Sequence, residues 1–156
     1  NYLELKVLDH ILRFGNGSLT VGSGAGYTPP ATVYVALFAG GSSAGTALES
    51  GTSSTSGTGN WGYYEINNGN YARQSITFAA ATGDGTIASN STATFPQANA
   101  NYNTAGTQGN TITHIALMDA STGGNVLFYG ALSTTKVVTD GDTFQINSGS
   151  LTITLA

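Results

Sequence analysis

Apolar residues recur at helical spacing only at the start of the chain. In the segment YLELKVLDHILRFG, charged and polar side chains occupy most of the face opposite an apolar stripe. The stripe consists of Leu3, Val7, Leu8, Ile11 and Leu12. This spacing, followed by Gly15, predicts an amphipathic helix over residues 1–14. A helix this short is marginally stable alone, so its stripe must bury against the rest of the protein or against a neighbour.

From residue 31 onwards, short apolar runs and segments that alternate between apolar and polar positions predict strands. The predicted strands are 31–39, 71–79, 86–95, 112–119, 126–131, 134–139, 143–146 and 150–155, with a further short strand at 18–21. Both faces of 31–39 are apolar, which predicts a central strand covered on both sides. Because no strand–helix–strand alternation exists, the pattern predicts an all-β fold: an antiparallel β-sandwich, jelly-roll-like, with one N-terminal amphipathic α-helix.

Two polar stretches, 40–62 and 97–110, interrupt this alternation. The first is almost uncharged and of low complexity, which predicts a long loop. Trp61, Tyr63 and Tyr64 stand at its end, and aromatic residues beside a loop form a candidate contact surface. The predicted organisation is therefore an N-terminal helical arm, 1–14, followed by a β-sandwich domain, 15–156, that carries the long polar loop 40–62.

The composition excludes several classes of partner. Charged residues make up only 8% of the 156 residues and give a net charge of −4, against roughly 25% charged residues in a typical soluble domain. The cations Lys6, Arg13, Arg73 and Lys136 are scattered, so we expect neither nucleic acid nor an anionic membrane as a partner. Without cysteine, the chain has neither disulfides nor thiolate metal sites. No apolar run approaches the roughly 18 residues that a spanning helix needs.

The segment TITHIALMDASTGGNVLFYGAL raises the clearest question of chemistry, because it holds His114 and Asp119 close together. Two apolar runs around a Gly-Gly turn predict a hairpin of two central strands. Strand alternation places His114 on the face of Ile112 and Met118, and Asp119 on the opposite face. The sequence therefore predicts a hydrogen-bonded structural histidine, at a sheet edge or under a loop, rather than an acid–base pair.

The remaining candidates for chemistry also favour structural roles. His10 lies on the polar side of the predicted helix, and its spacing from His114 suggests no zinc site. Asp140 and Asp142 flank a glycine but lack the further acids of a calcium loop, which predicts a turn. Asn16 and Asn90 match a glycosylation acceptor pattern that arises easily by chance in so polar a chain. We expect no catalytic residue, no metal, no cofactor and no enzymatic activity.

Six segments carry a resemblance to a known family. They are NYLELKVLDHILR, YTPPATVYVALF, NYARQSITF, TATFPQA, ITHIALMDASTGGNVLFYGAL and GDTFQINSGSLTITL. In content and order they resemble a family of small tailed-bacteriophage structural proteins, tail-fibre-like or capsid decoration-like β proteins. The resemblance covers most of the chain and departs at 40–61 and 99–110. It implies a virion component and supplies no motif of catalytic role.

Two main hypotheses of function follow from this resemblance. The first is a capsid decoration or cement protein that binds the major capsid protein and stabilises the outer surface of the head. Its expected contact residues are Tyr2, Leu5, Trp61, Tyr63 and Tyr64. The second is a tail fibre or baseplate component, bound to tail proteins, that recognises host-surface glycans. A third hypothesis rests on the predicted fold rather than on the resemblance: a carbohydrate-active enzyme or sugar-binding module on a jelly-roll scaffold.

The first two hypotheses share their expectations of location and assembly. Both place the protein in the virion, and in the host cytoplasm during assembly. Both also predict a homo-oligomer, because strand edges with few charges need a cover and a neighbouring subunit can supply it.

Overall fold

The structure is a computed structural model, which describes residues 2–13, 28–50, 59–82, 85–106 and 108–155. The chain divides into two compact units. Unit 1 comprises Asn1–Val33, Ser75–Ala93 and Ile146–Ala156, and unit 2 comprises Tyr34–Gln74 and Thr94–Gln145. The predicted division into a helical arm, 1–14, and a β-sandwich domain, 15–156, stays a prediction. The strand predicted at 18–21 lies outside the described residues.

The described secondary structure consists mainly of short strands. The helices are α1, Tyr2–Leu12, and α2, Ser42–Ser50, with a 3-10 helix, η1, at Trp61–Tyr63. The strands are β1 Val33–Ala39, β2 Gln74–Ile76, β3 Thr86–Ala88, β4 Ala93–Thr94, β5 Thr111–Met118, β6 Val126–Val137, β7 Gln145–Ile146 and β8 Thr152–Thr154. Antiparallel pairing confirms the predicted all-β class, and the jelly-roll arrangement stays a prediction. Neither α1 nor α2, the helices of the described residues, is long and apolar enough to span a membrane.

In unit 1, α1 packs against β3 through the stripe that its sequence predicts. Leu8 and Leu12 are buried, and β3 pairs antiparallel with β8. The Asp9 carboxylate accepts a hydrogen bond from the Ala81 amide at 3.0 Å and pairs with Arg13 at 3.2 Å. Leu8 and Leu12 therefore anchor α1 in unit 1, and the role of residues 1–14 as a helical arm stays a prediction.

In unit 2, β5 lies between β1 and β6 and is antiparallel to both. Ala36 and Phe38 face one side of β1, and Val35 and Leu37 face the other. All four side chains are completely buried. This burial confirms the prediction that the first long strand is central and covered on both sides.

The segment 40–62, which the sequence predicts to be a loop, contains α2 and most of η1. Ala44, Ala47 and Leu48 lie on one face of α2 and are buried in a cluster with Phe38 and Met118. A helix of this length is unstable in isolation, so packing on the sheet is what stabilises it. Small apolar residues dispersed among Ser, Thr and Gly gave too weak a periodic signal for the sequence to indicate this helix.

Several strands differ in extent from their prediction. The predicted strand 71–79 contracts to β2, and 86–95 divides into β3 and β4. The predicted strand 134–139 is instead the second half of β6. Lys136 pairs with Ile112 and Ala131 pairs with His114, so residues 132–135 bulge opposite Thr113. A bulge accommodates extra residues without ending a strand. β6 therefore continues through residues 132–135 and pairs with β5 again at Lys136.

Truncation of Leu48 tests the packing of α2. Leu48 is 2% exposed, and Leu48→Ala should lower the free energy of unfolding by about 2–5 kcal/mol, because it leaves a cavity under α2. Glu49→Ala, at the exposed neighbouring position, should change it by less than about 0.5 kcal/mol. Urea unfolding measures both values. Equal effects of the two substitutions would contradict the packing of α2 on the sheet.

Candidate interaction surface

The β5–β6 turn is closed by the acid that the sequence places near His114. The Asp119 carboxylate accepts hydrogen bonds from the backbone amide and the side-chain amide of Asn125, each at 2.7 Å. Gly124 has a positive φ of 73°, and a side chain there would overlap the Asp119 carboxylate. Asp119 therefore stabilises the turn that precedes β6. Both of its carboxylate oxygens accept hydrogen bonds from within that turn.

Arg73 donates hydrogen bonds to the backbone of this turn. Its Nη1 donates to the carbonyl oxygens of Ala120 at 2.9 Å and Gly123 at 2.7 Å. Its Nε and Nη2 donate to the two carboxylate oxygens of Glu65 at 2.6 and 2.7 Å. The guanidinium lies 5.4 Å from the centre of the Trp61 ring. Burial lowers the pKa of Arg73, but the hydrogen bonds to Glu65 and the charge of Glu65 outweigh it and raise the pKa.

Tyr71 completes a buried network with Glu65 and Arg73. Its hydroxyl donates to Glu65 Oε1 at 3.2 Å and accepts from the Leu37 amide at 3.0 Å. Burial and the charge of Glu65 raise the pKa of Tyr71 well above its ordinary value. The network thus joins β1, the segment 61–66 and the β5–β6 turn, and its function is structural.

The structure buries two of the residues that the sequence assigns to a contact surface. Trp61 and Tyr64 are each 2% exposed and pack with Phe38 and α2 in the unit 2 core. The chain turns inward as η1 at this point, so both side chains face the sheet and offer no surface to a partner. Tyr63 is half-buried and meets Tyr64 edge to face at 5.3 Å, and its contact role stays a prediction.

The other two expected contact residues, Tyr2 and Leu5, belong to α1. Their side chains lie outside the described part of the structure, so their contact role also stays a prediction.

The outer edge of β6 is the candidate interaction surface. β6 is the last strand of its sheet, and within the described ranges no strand pairs with its far side. Tyr129 and Val137, exposed by 43% and 51%, are the large apolar side chains that the described residues expose most. Lys136 is the only charged residue among the twelve of β6. Long, apolar edges of this kind are templates for pairing with another chain.

This edge corrects one prediction from the sequence. The interpretation of both hairpin strands as central is right for β5 and wrong for β6. The apolar side chains at 126–131 suggested a central strand, yet β6 ends its sheet, and among the described residues no strand pairs with its outer edge. Periodicity identifies the residues that share a face but does not give the order of strands in a sheet.

His114 lies under α2 and does not form a pair with Asp119. Its Nδ1 is 3.0 Å from the Thr113 hydroxyl. A Cβ at Gly45 of α2 would be 3.1 Å from its Nε2, so the glycine gives the ring room. Burial lowers the pKa of His114. The hydrogen-bonded, structural histidine that the sequence predicts is what the structure shows, covered by a helix rather than by a loop.

The remaining acidic candidate also forms a turn. Asp142 accepts hydrogen bonds from the Thr139 amide at 2.9 Å and the Thr139 hydroxyl at 2.6 Å. These bonds lower the pKa of Asp142 and confirm the predicted turn. The described residues contain no group of three or more His, Cys, Asp or Glu placed to hold a metal ion.

Unit 1 contains an open recess of about 420 Å³. Leu12, Ile76 and Phe78 are among its lining residues, with Arg13 beside them. The Arg13 guanidinium is paired with Asp9. The hydroxyl groups of Thr32, Ser75 and Thr77 also line the recess, so it is of mixed polarity, and the cation at its wall already has a carboxylate partner.

Neutralising Glu65 tests the buried network. Glu65→Gln removes the charge that matches Arg73, whose side chain is only 3% exposed. Leaving a buried cation unpaired should lower the free energy of unfolding by about 3–5 kcal/mol. Glu49→Gln, on the exposed face of α2, is the matched control and should change it by less than about 0.5 kcal/mol. An unfolding free energy unchanged by Glu65→Gln would show that the pair does not stabilise the fold.

The half-buried position of His114 predicts a dependence of stability on pH. The pKa of His114 is lower in the folded state than the ordinary value of about 6.5 that applies to the unfolded chain. Its contribution is therefore present above about pH 6.5 and is lost as the pH falls below that value. His114→Gln should reduce the decline between about pH 7 and pH 5 in denaturant titrations. An identical pH profile for the two proteins would contradict the lowering of the His114 pKa by partial burial.

Comparison with known proteins identifies the family. The chain matches the family model described as podophage GP4 fiber I protein gp80 over residues 1–154. No curated protein matches the chain. The match confirms the predicted resemblance to small tailed-phage structural proteins, and it includes every segment on which that resemblance rests. Since it extends over almost the whole sequence, the chain belongs to the podophage fiber I protein family.

Proposed function

We propose that this phage structural protein is a component of the tail fibre. The observation that carries the proposal is the family match over residues 1–154, because the description of that family names a fibre protein. It favours the tail hypothesis over the capsid decoration hypothesis. Two of the contact residues of the decoration hypothesis, Trp61 and Tyr64, are buried in the unit 2 core, and this burial supports the same preference.

The use of charged side chains supports a structural rather than an enzymatic role. Glu65 binds Arg73, Asp119 and Asp142 each close a turn, and Asp9 binds the Ala81 amide. Each of these acids accepts hydrogen bonds that fix the fold. A general acid or base needs a carboxyl group directed at a substrate. We therefore propose that the protein performs no catalysis.

Host recognition in this proposal falls to the exposed polar turns of the fibre. The β5–β6 turn and the turn at 139–142 are exposed and rich in Ser, Thr, Asn, Asp and Gly. Such side chains and backbone groups can hydrogen-bond the hydroxyl groups of a glycan. Both turns are fixed by internal hydrogen bonds, which lowers the ordering cost of binding.

Immunogold electron microscopy of intact virions tests the position of the protein. An antibody against this chain should label the tail, while an antibody against the major capsid protein labels the head as a control. Gold on the head surface would support decoration and overturn the fibre proposal. Absence of label from virions in which immunoblotting detects the chain would also contradict an exposed fibre component.

A further inference from the structure

We propose that three segments of unit 2, residues 67–70, 97–103 and 139–142, together form a binding face for an uncharged glycan. We call them the carboxamide face, after the side chains that they carry. The inference rests on the proposed function, since it assigns host recognition by the fibre to one site and one class of ligand. Three observations support it: the bonds that fix the segments to one another, the side-chain groups that remain free, and the charge of the face.

Hydrogen bonds fix the three segments to one another, because the middle segment bonds to both of the others. On one side, the Asn103 amide donates to the side-chain oxygen of Asn68 at 2.6 Å. On the other side, the Ala98 amide donates to the carbonyl oxygen of Asp142 at 2.8 Å. Tyr102, which lies between these contacts in the chain, is completely buried. Since the backbone is already ordered, a ligand that binds here does not have to order it.

Carboxamide side chains dominate the exposed surface of this face. Each carboxamide offers an oxygen that accepts hydrogen bonds and an NH2 group that donates two. The exposed carboxamides are those of Asn67, Asn68, Asn70, Gln97, Asn99 and Asn101. None of the described residues of the face exposes a large apolar side chain. Binding here therefore depends on hydrogen bonds rather than on apolar contact.

Two of these side chains are held with their NH2 groups free. The side-chain oxygen of Asn68 accepts from the Asn103 amide at 2.6 Å, and that of Asn101 accepts from the Asp140 amide at 3.3 Å. An oxygen that faces an amide leaves the NH2 group on the other side of the carboxamide, and no described residue accepts from either NH2 group. The Asp140 carboxylate likewise accepts no hydrogen bond from a described residue. A fixed donor on Asn101 therefore lies beside the residue that carries a free, charged acceptor.

This combination of groups determines the class of ligand. Adjacent donors and acceptors match the hydroxyl groups of a sugar, each of which both donates and accepts. The face contains Asp140 and Asp142 but no Lys, Arg or His, so a sulfated or acidic glycan, or a nucleic acid, would bring like charge to it. A peptide anchored by large apolar side chains would find no pocket in it. The ligand that fits is a glycan without charge.

An array of purified bacterial surface polysaccharides tests the class of ligand. Neutral members built of hexoses and N-acetylhexosamines should bind the chain, and members rich in uronic or sialic acid should not. Dense immobilisation raises the effective concentration of sites, so binding through a few hydrogen bonds is measurable. Binding confined to acidic members, or to no member of the array, would overturn the proposal.

Two substitutions test the site on the neutral polysaccharide that gives the strongest signal. In biolayer interferometry, Asp140→Ala should raise the dissociation constant at least about tenfold, because a hydrogen bond to a charged group is lost. Asn99→Ala, which removes a neutral group, should raise it about two- to tenfold. Asn147→Ala removes an exposed carboxamide of unit 1 and should leave the constant unchanged. None of these three side chains hydrogen-bonds a described residue, so all three variants should fold, which circular dichroism checks.

A fourth variant separates this site from the other polar turn of unit 2. Thr122→Ala, in the exposed β5–β6 turn, should leave binding unchanged. Loss of binding in Thr122→Ala alone, or no effect of Asp140→Ala, would overturn the carboxamide face and leave the fibre proposal standing. Conversely, gold label on the head together with glycan binding that Asp140→Ala abolishes would overturn the fibre proposal and support the carboxamide face.

Discussion

The buried ion pair between Arg73 and Glu65 is the interaction on which the arrangement of unit 2 depends. Removing two charges from water costs several kcal/mol per ion, and the pair offsets this with two short hydrogen bonds between its own groups. The carbonyl oxygens of the β5–β6 turn accept from Arg73, and the Tyr71 hydroxyl donates to Glu65. Each partner is satisfied only if the turn, the segment 61–66 and β1 are all in place. The direction in which β6 leaves the turn follows from that requirement.

The sequence predicted the parts of this arrangement that local pattern controls. Short, nearly continuous apolar runs indicated β1 and β5, which are mostly buried. The helical stripe with Leu8 and Leu12 indicated α1. The network itself was not predictable. Arg73 looked like one of four scattered cations, since its partner Glu65 lies eight positions away and the turn it supports lies nearly fifty positions away. Their proximity is a property of the fold rather than of any local segment.

The candidate surface was missed for a related reason. The apolar residues of β6 form a strand pattern that would suit a central strand, and only the order of strands in the sheet shows that one edge is unpaired. For Trp61 and Tyr64 the error was the reverse, because they were predicted to be exposed. They follow a polar segment in the sequence, yet they pack with α2 in the unit 2 core. In both cases the sequence correctly identified apolar residues that pack against something. Its exposure depended on contacts between distant segments.

The placement of charge connects the interior of the protein to its assembly. Arg73 is used inside unit 2 and Arg13 binds Asp9. Lys136 is the one charged residue of β6. An edge defended by one lysine is poorly protected against pairing, and a chain with so few charges has little long-range repulsion to oppose association. A virion component is held at high local concentration by its neighbours, where a weak edge contact becomes effectively intramolecular. The scarcity of charge therefore suits a virion component that lies close to its neighbours.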